Sequence, residues 1–198
     1  MFHVKHEGWT PKELSPTQRA NLVIYEELLL GEAVPRGIVA ASDSGHLRTR
    51  HILDSLRAVP HIQVSAERVV DLGSGAGFPG LPIAIVRPDL EVTLTESRQI
   101  RAAYLELAAE RLRLPNVSVF PEPAEGLAPG FDVCLARGFG DASRTWEVAR
   151  VLLRPAGELV YWAGRSFELD EAPEDASARA ASEATLESGG PIVIMTRQ

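Results

Sequence analysis

Residues 71–80 read Asp71-Leu72-Gly73-Ser74-Gly75-Ala76-Gly77-Phe78-Pro79-Gly80. Four glycines in eight residues let the main chain turn sharply and let a ligand come close to the backbone. Two patterns overlap here. Gly75-x-Gly77-x-x-Gly80 satisfies the dinucleotide fingerprint. The first tight turn after the preceding apolar run comes at Gly73, which instead gives the acid-led triplet Asp71-x-Gly73-x-Gly75-x-Gly77. Pro79 and Pro82 delay the next helix and widen the loop. Glu96 follows 25 residues after Asp71, at the end of a second apolar run. An acid at that place accepts hydrogen bonds from ribose hydroxyls and disfavours a 2′-phosphorylated cofactor, but it serves both patterns equally.

The acid-led triplet is the S-adenosylmethionine-binding signature of Rossmann-like methyltransferases, and residues absent elsewhere narrow the acceptor. Methylation of an exocyclic amine uses an Asn/Asp-Pro-Pro-aromatic motif after the fourth strand. Here that place reads Ala136-Arg137-Gly138-Phe139. Methylation of cytosine carbon uses a cysteine nucleophile in a loop, whereas Cys134 falls within a predicted buried strand and is expected to be an inert core thiol. No carboxylate cluster for Mg²⁺ accompanies this loop, so no metal is expected. Guanine N7 has an in-plane lone pair and no proton to lose, which suits these absences. Orientation and electrostatics would then carry the reaction. Arg137 is placed by topology to contact guanine O6, the Hoogsteen edge or a flanking phosphate.

The elements that must position these groups follow from periodicity. Ser15 caps a helix with Pro16 in its first turn, Leu22, Tyr25, Leu28 and Leu29 share its inward face, and Gly31 stops it. Residues 31–45 read as loop. A second helix over 46–59 turns Ile52, Leu53, Leu56 and Val59 inward. On its opposite face are Arg50, His51, Asp54 and Ser55, with Arg50 and Asp54 spaced for an i,i+4 ion pair. Strands are expected at 68–72, 90–95, 117–120, 131–136, 158–162 and 191–196. Helices are expected at 98–114, burying Ile100, Leu105, Leu107, Ala108 and Leu112, and at about 141–153. Strands alternating with helices imply a doubly wound, mostly parallel sheet, with the ligand at the carboxyl ends of the strands. Residues 1–60 form an N-terminal helical cap and 61–198 the Rossmann-like cofactor-binding domain. The stretch 170–189, rich in acid, Ala and Ser, reads as partly mobile.

Composition sets outer bounds. The chain has 198 residues, one cysteine and a net charge of −7. An intramolecular disulfide is excluded, and no apolar run approaches the roughly 20 residues of a membrane span. The opening Met1-Phe2-His3-Val4-Lys5-His6 is too short and polar for a secretion signal. Residues 166–198 hold two Arg against seven acids, so much of the negative excess is C-terminal. Eighteen of the twenty basic residues are Arg, the side chain suited to bidentate phosphate and guanine contacts. An overall acidic chain has little long-range attraction for RNA. RNA binding is therefore expected to depend on a local patch of Arg98, Arg101, Arg137 and Arg165.

The run Arg50-His51-Ile52-Leu53-Asp54-Ser55-Leu56, followed by Val70-Asp71-Leu72-Gly73-Ser74-Gly75-Ala76-Gly77-Phe78-Pro79-Gly80-Leu81-Pro82, resembles the small-subunit (16S) ribosomal RNA guanine-N7 methyltransferase family, also called glucose-inhibited division protein B. The likeness continues through Leu94-Thr95-Glu96-Ser97, Ala124-Glu125, Arg137 and Leu152–Leu159, covering about residues 14–165. It implies a class I methyltransferase, monomeric and cytoplasmic, that uses S-adenosyl-L-methionine. Its implied target is N7 of one guanine (guanine 527 of the rRNA) in 16S rRNA or the small ribosomal subunit. Cofactor contacts carry over to Asp71, Gly73, Gly75, Gly77, Phe78, Ala124, Glu125 and Arg137, with Glu96 as the ribose acid. Arg137 is the expected catalytic residue, and Arg50, His51, Asp54 and Arg101 are expected to meet substrate. The chain departs from the family at Trp162-Ala163-Gly164 (Leu-Lys-Gly), at Ala136-Arg137-Gly138 (Ser-Arg-Ala) and at 37–45 (Asn-Leu-Thr). A non-catalytic relative that binds cofactor or RNA as an assembly factor is the alternative, followed by a nicotinamide-dependent oxidoreductase.

Overall fold

The computed structural model describes residues 14–181 and 189–197. Helix α1 (Pro16–Leu28) opens with both arms of a capping box: Gln18 N–H donates to Ser15 Oγ at 3.2 Å and Ser15 N–H to Gln18 Oε1 at 2.8 Å. The helix is not stopped at Gly31 but runs on as a wide turn over Leu29–Ala33. The expected regular helix over 46–59 is broken into a wide turn at Leu47–Ile52, a single α-turn, α2 (Leu53–Leu56), and a tight turn that begins at Val59. Another tight turn, Ala41–His46, precedes it at the end of the stretch read as loop. The doubly wound unit follows as β1 (Arg68–Asp71), α3 (Gly80–Val86), β2 (Glu91–Thr95), α4 (Gln99–Arg111) and β3 (Val117–Phe120). It continues through β4 (Phe131–Arg137), α5 (Ala142–Leu152), β5 (Leu153–Trp162), β6 (Ala176–Ala180) and β7 (Ile192–Arg197).

The strand order is β3-β2-β1-β4-β5-β7-β6. β1 to β5 are parallel, while β7 is antiparallel to both β5 and β6. The expected doubly wound, mostly parallel sheet is therefore present. Its strand order reverses between β1 and β4, which places the ligand crevice beside the loop after Asp71. β6 lies within a stretch read as partly mobile; its alternating exposure, with no strongly apolar face, left no strand signal in the sequence. Residues 182–188 lie outside the described part.

Two apolar layers sandwich the sheet. On one face Tyr25, Leu29, Leu47, Ile52 and Leu56, from the segments before β1, share a single core with Val69, Leu94, Val133 and Val160. On the other, Trp146, Ala149 and Leu152 of α5 pack on Val70, Cys134 and Leu159. Within α4 the buried residues are Ala102, Tyr104, Leu105 and Ala108. Ile100, expected inside, is 57% exposed because it sits in the first turn, before the helix reaches the sheet. Among the described residues no helix is long and apolar enough to cross a membrane.

Candidate functional site

The loop after β1 is held by the strand beside it. Gly73 N–H donates to Thr95 Oγ1 at 3.0 Å and Ser74 N–H to the Thr95 carbonyl at 2.8 Å. Gly75 N–H reaches Glu96 Oε2 at 3.2 Å. Gly73, Gly75 and Gly77 have φ of 64°, 60° and 100°, the left-handed region where a Cβ is disfavoured. Gly80 is not in that region; it is required because a Cβ there would lie 2.4 Å from Leu94 and 2.7 Å from Asp71 Oδ2. All three glycines of the acid-led triplet are thus left-handed, while Gly80, the last glycine of the dinucleotide pattern, is not. Tyr25 Oη donates to the Ala76 carbonyl at 2.8 Å, and a Cβ at Gly77 would lie 2.4 Å from the Leu81 side chain and 3.0 Å from Tyr25 Oη.

Two carboxylates flank this loop. Asp71 is fully buried; Oδ2 accepts the Gly80 N–H at 2.9 Å, and Oδ1 has no hydrogen-bond partner. Burial pushes its carboxyl up to about 6 against the opposing pull of Ser74, the Gly80 N–H and Arg137. Glu96 is 6% exposed and spans the Gly75 and Arg98 N–H groups, with lone pairs left for further donors. Above Gly75 a Cβ would meet nothing nearer than 3.9 Å, so the open face of the loop is there. Gly73 is covered instead: the ring of Phe139, from the segment after β4, would lie 2.9 Å from a Cβ at that position. An orphaned buried carboxylate oxygen, a second buried acid and an open left-handed glycine suit a cationic, ribose-bearing ligand such as S-adenosylmethionine.

Arg137, the last residue of β4, ties the cap to this loop. Its Nη1 lies 3.2 Å from Asp54 Oδ2, 3.3 Å from the Arg50 carbonyl and 3.4 Å from the His51 carbonyl. Its Nη2 donates to His51 Nδ1 at 3.0 Å, and its guanidinium carbon sits 5.0 Å from the centre of the Phe78 ring. The imidazole of His51 stacks on Phe78 with ring centres 4.9 Å apart. Burial, reinforced by the Arg137 charge, holds His51 below its ordinary range. An open cavity of about 500 Å³ lies between Asp43, Arg50 and His51 of the cap and Arg137, Trp162 and Arg165 at the strand ends.

Several sequence expectations are revised. Arg50 and Asp54 do not form the i,i+4 pair: Arg50 faces Asp43 at 3.9 Å, and Asp54 turns inward to Arg57 (2.8 Å) and Arg137. The irregular wide turn before α2 rotates the expected polar face toward the protein, so Asp54 and Ser55 are buried. The four-arginine patch divides. Arg137 and Arg165 line the cavity, whereas Arg101 sits on Glu96 at 3.7 Å, beside Arg98 at the end of β2. Ala124 is buried, while Glu125 pairs with Arg144 of α5 at 3.4 Å on the surface. Cys134 is buried, its thiol pushed well up by burial, as expected of an inert core residue. Among the described residues no group of three or more His, Cys, Asp or Glu could hold a metal ion.

Asp43, Arg57, Phe139 and the indole of Trp162, which donates to the Asp54 carbonyl at 3.2 Å, escaped the sequence reading. Of these only Arg57 left a signal, a charge inside the apolar run Leu56-Arg57-Ala58-Val59.

Comparison with known proteins agrees with this arrangement. A family model described as rRNA small subunit methyltransferase G matches residues 18–189. The chain is 39% identical over 165 residues to ribosomal RNA small subunit methyltransferase G of Burkholderia multivorans, covering 80% of this chain and 72% of that protein. For the protein of the same name from Burkholderia ambifaria the identity is 38% with the same shares. Among solved structures, a putative O-methyltransferase from Klebsiella pneumoniae aligns with a TM-score of 0.59 at 14% identity, over 95% of this chain and 92% of that one. An rRNA methylase from Streptococcus thermophilus aligns with a TM-score of 0.51 at 15% identity, over 76% and 97%. Those two likenesses speak for the fold, and the sequence matches go further: the chain belongs to the rRNA small subunit methyltransferase G family.

Proposed function

We propose that the protein methylates N7 of one guanine in 16S rRNA, within the small ribosomal subunit or its precursor, and that residues 1–60 act as the cap over the site. Family membership supports rRNA methylation. The choice of a nucleophile that needs no base rests on one observation: among the described residues lining the Arg137 cavity, no histidine nitrogen is free to accept a proton and no cysteine is present. His51 Nδ1 is engaged by Arg137, and Cys134 is sealed inside β4.

S-adenosylmethionine supplies a methyl group on a positively charged sulfur. The residues that would hold it are the open face at Gly75, the Asp71 and Glu96 carboxylates, and the Ala124-Glu125 turn. Glu96 serves as acceptor for ribose hydroxyls while fixing the loop through the Gly75 N–H. Asp71 contributes anionic charge next to a cationic ligand, where its orphaned Oδ1 would gain a partner. Arg137 is oriented by five contacts before substrate arrives, so its charge and donors are fixed in direction and little reorganisation accompanies reaction. Arg50 and Arg165, on opposite sides of the cavity, suit RNA phosphates.

The test is methyl transfer. Purified protein, methyl-labelled S-adenosylmethionine and small subunits lacking the modification should yield label on N7 of one guanine, located by cleavage at the methylated base. Cofactor binding with no label on any rRNA would replace this reading with that of a non-catalytic assembly factor.

A further inference from the structure

The cavity beside Arg137 contains an acceptor and a donor that the arrangement above does not use. Asp43 lies in the tight turn Ala41–His46 and forms one lip of the cavity. Its Oδ2 is 3.5 Å from His51 Nε2 and its Oδ1 is 3.9 Å from Arg50 Nη1. Neither contact satisfies hydrogen-bond geometry, and His51 Nε2 is buried with no hydrogen-bond partner. Arg137 settles the tautomer. A guanidinium can only donate, so His51 Nδ1 must accept from Arg137 Nη2 at 3.0 Å. The neutral ring then carries its proton on Nε2. Stacking on Phe78 fixes the plane of the ring. The proton on the buried Nε2 faces Asp43, and the cavity presents the partly exposed Asp43 carboxylate, which has only long contacts to hold it.

We propose that Asp43, backed on its buried side by His51 Nε2–H, reads the Watson–Crick edge of the target guanine, accepting from N1–H and the 2-amino group. This rests on the guanine-N7 reading above and adds what selects the base. A nucleophilic N7 must keep its lone pair free, so the enzyme cannot read guanine through that atom. The opposite edge is what remains, and it offers two adjacent donors beside one acceptor. Adenine turns the lone pair of its N1 toward the carboxylate and has no 2-amino group, so it forfeits both bonds to Asp43. The same carboxylate has an electrostatic role. As the N7–C bond forms and the donor's S–C bond breaks, positive charge enters the purine, no proton moves, and the hydrogen bonds to Asp43 strengthen. Asp43 is thus both a selector of the base and a counter-charge to the methylated product.

The experiment compares 16S rRNA carrying guanine with the same RNA carrying inosine, which lacks the 2-amino group, at the methylated position. Loss of one charge-assisted contact predicts that the native protein prefers guanine by about 10- to 100-fold in kcat/KM. In Asp43→Asn the preference should fall to within about threefold, with guanine losing most, because one accepting oxygen is replaced by an NH₂ group that sets a donor against a donor. Affinity for S-adenosylmethionine, measured by calorimetry, should match the native protein and shows that the variant is folded. If the native protein methylates both RNAs equally, the inference is overturned without recourse to any variant. It is also overturned if Asp43→Asn binds the cofactor and keeps the full preference. If neither RNA is methylated, the guanine-N7 reading itself fails and takes the inference with it, a result distinguishable from the other two.

Discussion

Replacing Asp54 with Ala tests the junction on which the site depends. Asp54 Oδ1 accepts from Arg57 at 2.8 Å and Oδ2 from Arg137 at 3.2 Å. Arg57 is only 2% exposed, and its Nε is already without a partner. In Asp54→Ala its remaining acceptor is the Gly190 carbonyl at 3.1 Å, so a nearly whole charge stays buried and uncompensated. Such a half-broken pair costs about 3–5 kcal/mol. Arg137 adds little, since it keeps its two carbonyl acceptors and His51. For a chain of this size that cost is a fall in Tm of roughly 6–20 °C. Urea unfolding followed by circular dichroism measures it. The double variant Asp54→Leu/Arg57→Met removes both charges and should recover most of the loss, because an apolar pair of similar volume replaces a buried ion pair at little or no cost. The reasoning is refuted if Asp54→Ala stays within about 1 kcal/mol of the native protein, the range of an exposed pair. A double variant no more stable than the single one would also refute it.

Three further outcomes are expected. Gly75→Ala meets no atom within 3.9 Å but has φ of 60°, so stability should fall by only about 1–2 kcal/mol while calorimetric affinity for S-adenosylmethionine drops sharply, the Cβ standing on the open face of the loop. Asp71 has a folded-state value of about 6 against 3.8 unfolded, so the folded protein binds the extra proton between those pH values. The stability of the native protein relative to Asp71→Asn should therefore rise as pH falls from about 7 to 4, by about 2 kcal/mol, in paired urea titrations. Arg137→Lys keeps the charge but loses the planar fork that engages Asp54, His51 and two carbonyls at once, so methyl transfer should collapse while the fold persists by circular dichroism.

Much of the framework was legible in the residues because it rests on local rules. The capping box at Ser15, the strand–loop–strand spacing from Asp71 to Glu96 and the apolar periodicity each act over a few residues. The cap was less legible. The span 46–59 has helical apolar spacing, yet it follows a tight turn in which Ser44 Oγ bonds to the Ala41 carbonyl at 2.8 Å, and it winds as a wide turn at Leu47–Ile52 before a single α-turn. That rotation could not be read from i,i+4 spacing, and it decides which way Asp54 and His51 face. Ile100 was misassigned because an apolar residue in a first helical turn need not reach the sheet.

The amino-acid sequence by itself determined the doubly wound architecture, the left-handed glycine triplet and the two acids beside it, because backbone permissiveness and hydrophobic period are properties of neighbouring residues. Only the tertiary structure decided the partners of the charges. Arg137 meets Asp54 and His51 across more than 80 positions of chain, Arg57 is buried with Asp54 rather than exposed, and the Phe139 ring lies against Gly73. Charged side chains are long and reach partners brought near by packing. The energy of each pair depends on the burial that packing imposes, which no local pattern encodes.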